Sequence, residues 1–213
     1  MAGSRGGTVR DLGSVGMLGG ALLTVYGLPD LLVPIAFSVT SGAARLYGLL
    51  LLPPLCCLVV GHVALRAARS DDLGRFSRTA LRGSELGTAL AAVGVAAYFG
   101  LSVGTVAGVT DAAFLCVVLG LTAALCCGFA FGAARAWTAG ALTPEAALFV
   151  APLVTAVALA VALATALPIR FAAVSVPYGV AWTLVGYDLF ASGRSRGRRA
   201  ADALRTRRES SGR

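Results

Sequence analysis

The reactive side chains of this chain are few and tightly grouped. Residues Pro53 to His62 read PPLCCLVVGH: two prolines, two adjacent cysteines and the single histidine of the sequence. The trio Leu-Cys-Cys recurs at Leu125-Cys126-Cys127. Cys57 lies nine residues before Arg66, and Cys127 eight before Arg135, so on two like-oriented helices both pairs reach a similar depth. Four thiols at one level would suit a soft ion such as Cu(I) or Zn(II). Geometry argues against it. Adjacent helix residues point about 100° apart, so both members of a pair do not face one ion. Familiar thiol ligand spacings leave two or more residues between the sulfurs, and no C-x-x-C occurs here. The cysteines therefore read as small apolar packing residues.

A second pattern, GLSVG at Gly100–Gly104, matches the G-x-S-x-G nucleophile motif. A serine nucleophile needs a base within hydrogen-bond reach. In the topology derived below, Ser102 falls near the outer face and His62 near the inner face, on the order of 20 Å apart. A Ser–His pair is excluded, and the glycines are explained by helix packing. Absences prune further. Without lysine there is no Schiff base and no phosphate-loop lysine. One histidine rules out HExxH and bis-histidine haem sites. No catalytic, cofactor-binding or metal-ligating set is assigned, and no cofactor is expected. The polar groups that remain are His62, Asp188 and Arg135, at the inner ends of their helices. His62 and Asp188 invite a proton relay; Asp188 also invites pairing with an inner-face arginine such as Arg135.

These groups sit in an apolar frame. The 213 residues are 57% hydrophobic and 13% charged, with mean hydropathy +0.82. A soluble domain carries about 25% charged residues. A helix needs about 20 apolar residues to cross a bilayer. Six stretches qualify: Leu12–Leu32, Leu46–Arg66, Glu85–Val109, Ala112–Arg135, Pro144–Leu167 and Phe171–Ala191. The expected fold is all-α, a polytopic six-transmembrane-helix bundle over 1–193, followed by a basic tail over 194–213 that is disordered or lipid-associated. The first apolar run lacks an A-x-A-like site near Gly27–Asp30, so an uncleaved span is expected rather than a signal peptide.

Arginine supplies every basic charge. It falls at Arg5 and Arg10, in the loop Arg66–Arg82, at Arg135, and eight times from Arg194 to Arg213. Six spans put all of these on one side, leaving Arg45 and Arg170 on the other. The positive-inside rule then gives N-in and C-in. The expected location is the plasma membrane of a prokaryote with a GC-rich genome, since asparagine and glutamine are absent with lysine.

Small residues should set the packing, because lipid tails give helices no hydrophobic reason to associate. Span three offers a four-residue ridge through Ser84, Thr88, Ala92, Ala96, Gly100, Gly104 and Gly108. Span four offers Ala112, Cys116, Gly120, Ala124, Gly128, Gly132 and Ala136. With Thr110-Asp111 as a minimal turn, the ridges would face each other, making Gly104 and Gly128 sensitive positions. Pro53 and Pro54 predict a kink in span two, and Pro177 a gentler one in span six. Thr143-Pro144-Glu145 reads as a helix start, with the hydroxyl as cap and the carboxylate near the positive helix end. The loop Ser70–Ser84 reads either as an amphipathic surface helix, with Leu73, Phe76, Ala80 and Leu81 on one face, or as a solvated loop.

The functional expectation is a non-catalytic multi-pass membrane protein: an accessory, assembly or membrane-organising component. Its partners would be anionic lipid headgroups at the arginine-rich inner surface and tail, with a membrane-protein partner or a second copy alongside. Nucleic acid is not expected, since the tail lacks aromatics for base stacking. The alternative is a small permease or transporter subunit with spans two and six lining the path. An enzyme would need convergent polar groups at the inner interface.

Overall fold

The computed structural model describes residues 2–29, 42–101, 107–139, 143–165 and 174–192. Every regular element among them is helical. Seven helices are named in order: α1 (Ala2–Gly27), α2 (Gly42–Leu49), α3 (Leu52–Arg69), α4 (Arg75–Val95), α5 (Ala107–Ala139), α6 (Ala147–Thr165) and α7 (174–192). A π-turn, Ala96–Leu101, extends α4, and a 3₁₀ turn, Pro144–Ala146, leads into α6. Among the described residues, three helical stretches are long and apolar enough to cross a membrane: Arg45–Arg69, Gly108–Ala139 and Pro144–Val161. The chain is an all-helical protein of membrane character.

The expected kink in span two is a break just before the prolines. After α2 the chain tightens, with the Leu51 N–H donating to the Gly48 carbonyl at 3.1 Å, and α3 opens with Pro53 and Pro54 in its first turn. Proline has no N–H, and its ring clashes with the carbonyl four residues back. The preceding turn therefore carries the distortion, and the first helical turn tolerates the missing donors. Pro177 lies close to the described start of α7, while Pro152 sits inside α6, where the sequence reading placed no kink.

Two boundary expectations are corrected. Thr110-Asp111 is not a turn; both residues lie inside α5, which begins at Ala107. A helix accepts one exposed aspartate near its N-terminus, so a local polar pair was a poor marker of chain reversal. Residues 102–106, with Ser102 and Gly104, lie outside the described residues. Likewise, the Ser70–Ser84 segment is neither a separate surface helix nor a loop. Only residues 70–74 turn, and α4 runs unbroken from Arg75. Arg78 clamps that turn through hydrogen bonds to the Ser70 and Leu73 carbonyls. Leu73, Ala80 and Leu81 are buried as the amphipathic pattern requires, but Phe76 is 67% exposed.

Glycine determines how closely the helices approach. α1 is wedged between α3 and α7. Gly16 of α1 meets Gly61 of α3, where an added Cβ on Gly16 would lie 2.8 Å from the Gly61 Cα. Gly13, Gly20 and Gly27 of α1, seven residues apart, face Leu189, Gly179–Thr183 and Ser175 of α7. The two helices thus run antiparallel. Between α4 and α5, a Cβ on Gly87 would meet the Ala124 N at 2.5 Å, and one on Gly94 the Val117 N at 2.6 Å. The buried stripe of α4 is Ser84, Gly87, Thr88, Ala91, Gly94 and Val95.

This stripe corrects the four-residue ridge. Four residues rotate a helix by about 400°, so each step drifts roughly 40° and a long i,i+4 row leaves the contact face. Ser84 and Thr88 lie in the interface, but Ala96 and Gly100 are exposed. Among the described residues, nothing stands within 4 Å of a Cβ built on Gly100 or Gly108. On α5, Gly120 packs on Gly87 and Ala91, Gly128 faces Ser84 and Tyr178 at ordinary contact distance, and Gly132 meets Leu148 and Phe149 of α6 rather than α4.

Candidate functional site: an ionic cluster at one end of the bundle and a buried histidine node

The antiparallel pairings bring the C-terminal ends of α3, α5 and α7 and the start of α6 to one end of the bundle. Charged side chains converge there. Arg69, on the last turn of α3, reaches two carboxylates at once. Its Nε donates to Glu145 Oε1 at 2.8 Å, and its Nη2 donates to Asp188 Oδ2 at 3.0 Å. Arg135 of α5 approaches the same Glu145 oxygen at 3.9 Å. Two arginines thus face two carboxylates, drawn from four segments far apart in sequence. Glu145 is 1% exposed, and its Oε2 and the Arg135 Nε have no hydrogen-bond partner among the described residues.

Sequence reasoning found Asp188 and Arg135 but missed Arg69 as the hub and Glu145 as its buried partner. The Asp188–Arg135 pairing is corrected to Asp188–Arg69. Glu145 is not simply a dipole-complementing residue at a helix start; it is an ion-pair partner at the centre of the cluster. The first turn there closes through the backbone, the Ala146 N–H donating to the Thr143 carbonyl at 2.9 Å. One signal was available: a lone glutamate directly after a proline between two apolar spans. Nearby, Arg66 Nη1 lies 2.9 Å from Glu85 Oε2, a charge contact without hydrogen-bond geometry.

His62 belongs to a different constellation, and the His62–Asp188 relay is not formed. Its Nδ1 lies 2.8 Å from the Leu58 carbonyl, and its Nε2 lies 2.9 Å from Ser84 Oγ. A carbonyl only accepts, so Nδ1 carries a proton; in a neutral ring Nε2 then accepts from the Ser84 hydroxyl. The single Ser84 hydroxyl hydrogen is shared between Nε2 and the Ala124 carbonyl, which accepts at 3.0 Å, and the Tyr178 hydroxyl lies 3.5 Å from Ser84 Oγ. The Trp182 ring closes over the imidazole with centroids 4.1 Å apart. Trp182 precedes Asp188 by six residues, about 9 Å along the helix. The node ties α3, α4, α5 and α7 together in a fully buried setting. Ser84→Ala should lower stability by about 1–3 kcal/mol, because it strands a buried imidazole nitrogen. Thermal unfolding in detergent checks this; a midpoint equal to the parent's would show the node to be dispensable.

The cysteine pairs do not meet. Cys57 packs against Gly19 of α1, and Cys127 against Gly83 of α4, so they occupy different helix interfaces. All five thiols are free, and no cluster of three or more potential metal ligands occurs among the described residues.

At the opposite end, Arg45 does more than lie at an interface. Its Nε and Nη2 both donate to the Phe99 carbonyl, at 3.2 and 3.0 Å, and Nη2 approaches the Gly100 carbonyl at 3.5 Å. The π-turn weakens the regular ladder there, and the guanidinium supplies donors to the carbonyls so presented. Tyr26 and Tyr47 stack at 4.6 Å, and each hydroxyl donates to the other's carbonyl, at 2.9 and 2.8 Å. Arg170 and the arginines from Arg194 onward lie outside the described residues.

These arrangements neutralise charge and cross-link helices; none presents a nucleophile beside a base and an open reacting position. Neither a protein-family model, nor a curated protein, nor a solved structure matches the chain.

Proposed function

We propose that the protein is a six-span, N-in and C-in component of a cell membrane that acts without catalysis, as an accessory, assembly or membrane-organising element. The observation carrying this reading is the small void at the centre of the bundle. The cavity lined by Leu23, Leu51, Leu55, Thr88, Leu121 and Tyr178 holds about 30 Å³, room for one or two waters. Pro53 is not among the described residues lining this void, so this cavity does not open onto the break at Pro53. The charges converging at the inner end pair with one another, Arg69 bridging Glu145 and Asp188. Arg75, Arg78 and Arg82 stay exposed on the inner end of α4, where anionic headgroups would meet them.

Reconstitution into proteoliposomes tests the reading. Efflux of protons, monovalent ions and small neutral solutes should match protein-free vesicles. Protein-dependent flux of any of them would overturn it. If that flux vanished in Asp188→Ala or His62→Ala, it would transfer the assignment to the permease alternative.

A further inference from the structure

α6 is held mainly at its inner end. Glu145 enters the ionic cluster, and Gly132 admits the Leu148–Phe149 backbone. Farther along, Val150, Leu153, Val154, Val157 and Val161 are all exposed. A groove runs between α6 and α7 in two continuous sections and carries on along α6 alone in a third. The inner section, about 510 Å³, is lined by Thr143, Val150, Leu184, Tyr187 and Asp188 among others. The next, about 330 Å³, has only apolar lining residues, including Val150, Val154, Pro177, Val180 and Leu184. The last, about 350 Å³, follows α6 past Val154 and Val157. Shared residues join the sections: Val150 and Leu184 the first two, Val154 the second and third.

Polarity therefore has a direction along the groove, and so has length. From Asp188 to Pro177 the α7 wall spans 11 residues, about 17 Å, against a leaflet half-thickness of roughly 15 Å. The mouth has a sign. Of the four clustered charges, Asp188 is the one lining it; its side chain is 30% exposed, and among the described residues Arg69 engages its Oδ2 alone. Arg69 and Arg135 are turned onto Glu145 and do not line the groove. An extended peptide would strand its backbone groups in the apolar sections, and a helix would be too wide to follow the trough with one chain's worth of contact. A lipid tail has none to strand.

We propose that the groove binds one inner-leaflet phospholipid with a primary-amine headgroup, of the ethanolamine class: the ammonium on the Asp188 carboxylate, Tyr187 beside it, and one acyl chain along Val150, Val154 and Val180. The site rests on the membrane orientation proposed above and is independent of whether the protein transports anything. Anionic lipids would instead gather at Arg75, Arg78 and Arg82, on another helix.

The test uses the full-length protein, exchanged in mild detergent against ethanolamine, choline and glycerol phospholipids of identical chains, with bound lipid read by native mass spectrometry. One ethanolamine lipid per chain should be retained about tenfold over the other two. Choline has the charge but no N–H donors, so it separates hydrogen bonding from charge alone. Asp188→Asn should erase the preference, Asp188→Glu should keep it, and Val154→Trp, which fills the trough, should lower retention of all three lipids. Equal retention of the three headgroups by the parent protein overturns the proposal. So does retention unaffected by Val154→Trp, or a dimer that Val154→Trp disrupts, which would assign the groove to a second copy. Flux in proteoliposomes would sink the functional reading and leave this site standing; loss of headgroup preference would do the reverse.

Discussion

Gly120→Leu should abolish recovery of folded, monodisperse protein, whereas Gly108→Leu should behave as the parent. Gly120 lies where α5 crosses α4, and an added Cβ would collide with the Gly87 carbonyl at 2.7 Å and with the Ala91 backbone. The obstacles are main-chain atoms of a packed helix, which do not swing aside as a side-chain tip does. Relief requires the helices to separate, and separation loosens contacts along the whole α4–α5 interface. Overpacking into a yielding core costs about 1–3 kcal/mol. Against backbone, the cost should exceed about 3 kcal/mol, which is exceptional for a single substitution. Gly108 meets nothing within 4 Å, and leucine is the better helix former. Size-exclusion profiles and thermal midpoints in one detergent compare the two. Equal stability of both variants would mean that α4 and α5 do not cross at Gly120.

The second large effect is expected at Arg69. Arg69→Met removes the cation shared by two carboxylates. Among the described residues Asp188 then has no ionic partner, and Glu145, almost fully buried, keeps only Arg135 at 3.9 Å. Breaking a buried ion pair from one side typically costs about 3–5 kcal/mol, because the surviving charge stays desolvated. Arg66→Met is the control. Its side chain is 39% exposed and its contact with Glu85, 17% exposed, lacks hydrogen-bond geometry, so its loss should cost less than that of Arg69. The triple change Arg69→Met, Glu145→Gln, Asp188→Asn should recover much of the loss, since no charge is left stranded. Denaturant titration of the four proteins decides it. A triple variant as unstable as Arg69→Met would show that Arg69 acts through packing of its stem and not through charge.

The cluster was half legible before any fold was known. Asp188 and Arg135 stood out because ionisable groups within apolar runs are costly and few. Arg69 did not, since it sat among five arginines that the positive-inside rule already explained. Its two partners lie 76 and 119 residues away. Nothing local distinguishes Arg69 from Arg66, one turn earlier; only the rotation of α3 against α6 and α7 does. His62 likewise looked like a partner for Asp188 by depth. Its ring is instead turned toward Ser84 and under Trp182.

Glycine gives the same lesson in reverse. In a chain this rich in small residues, a four-residue row can be drawn almost anywhere. The rows that matter, Gly13-Gly20-Gly27 and Gly87-Gly94, repeat at seven residues. Two helical turns come close to seven, so a seven-residue row stays on one face where a four-residue row drifts.

By itself, then, the sequence determined that the chain is helical, apolar at membrane scale, and charged at the ends of its helices. Those properties follow from transfer free energies that add residue by residue along the chain. Which glycines touch, where α4 begins and α5 reverses the chain, and which arginine holds which carboxylate were decided only by tertiary structure. Each depends on a helix rotation of tens of degrees, a quantity to which hydropathy is blind and to which backbone contact and a buried ion pair are acutely sensitive.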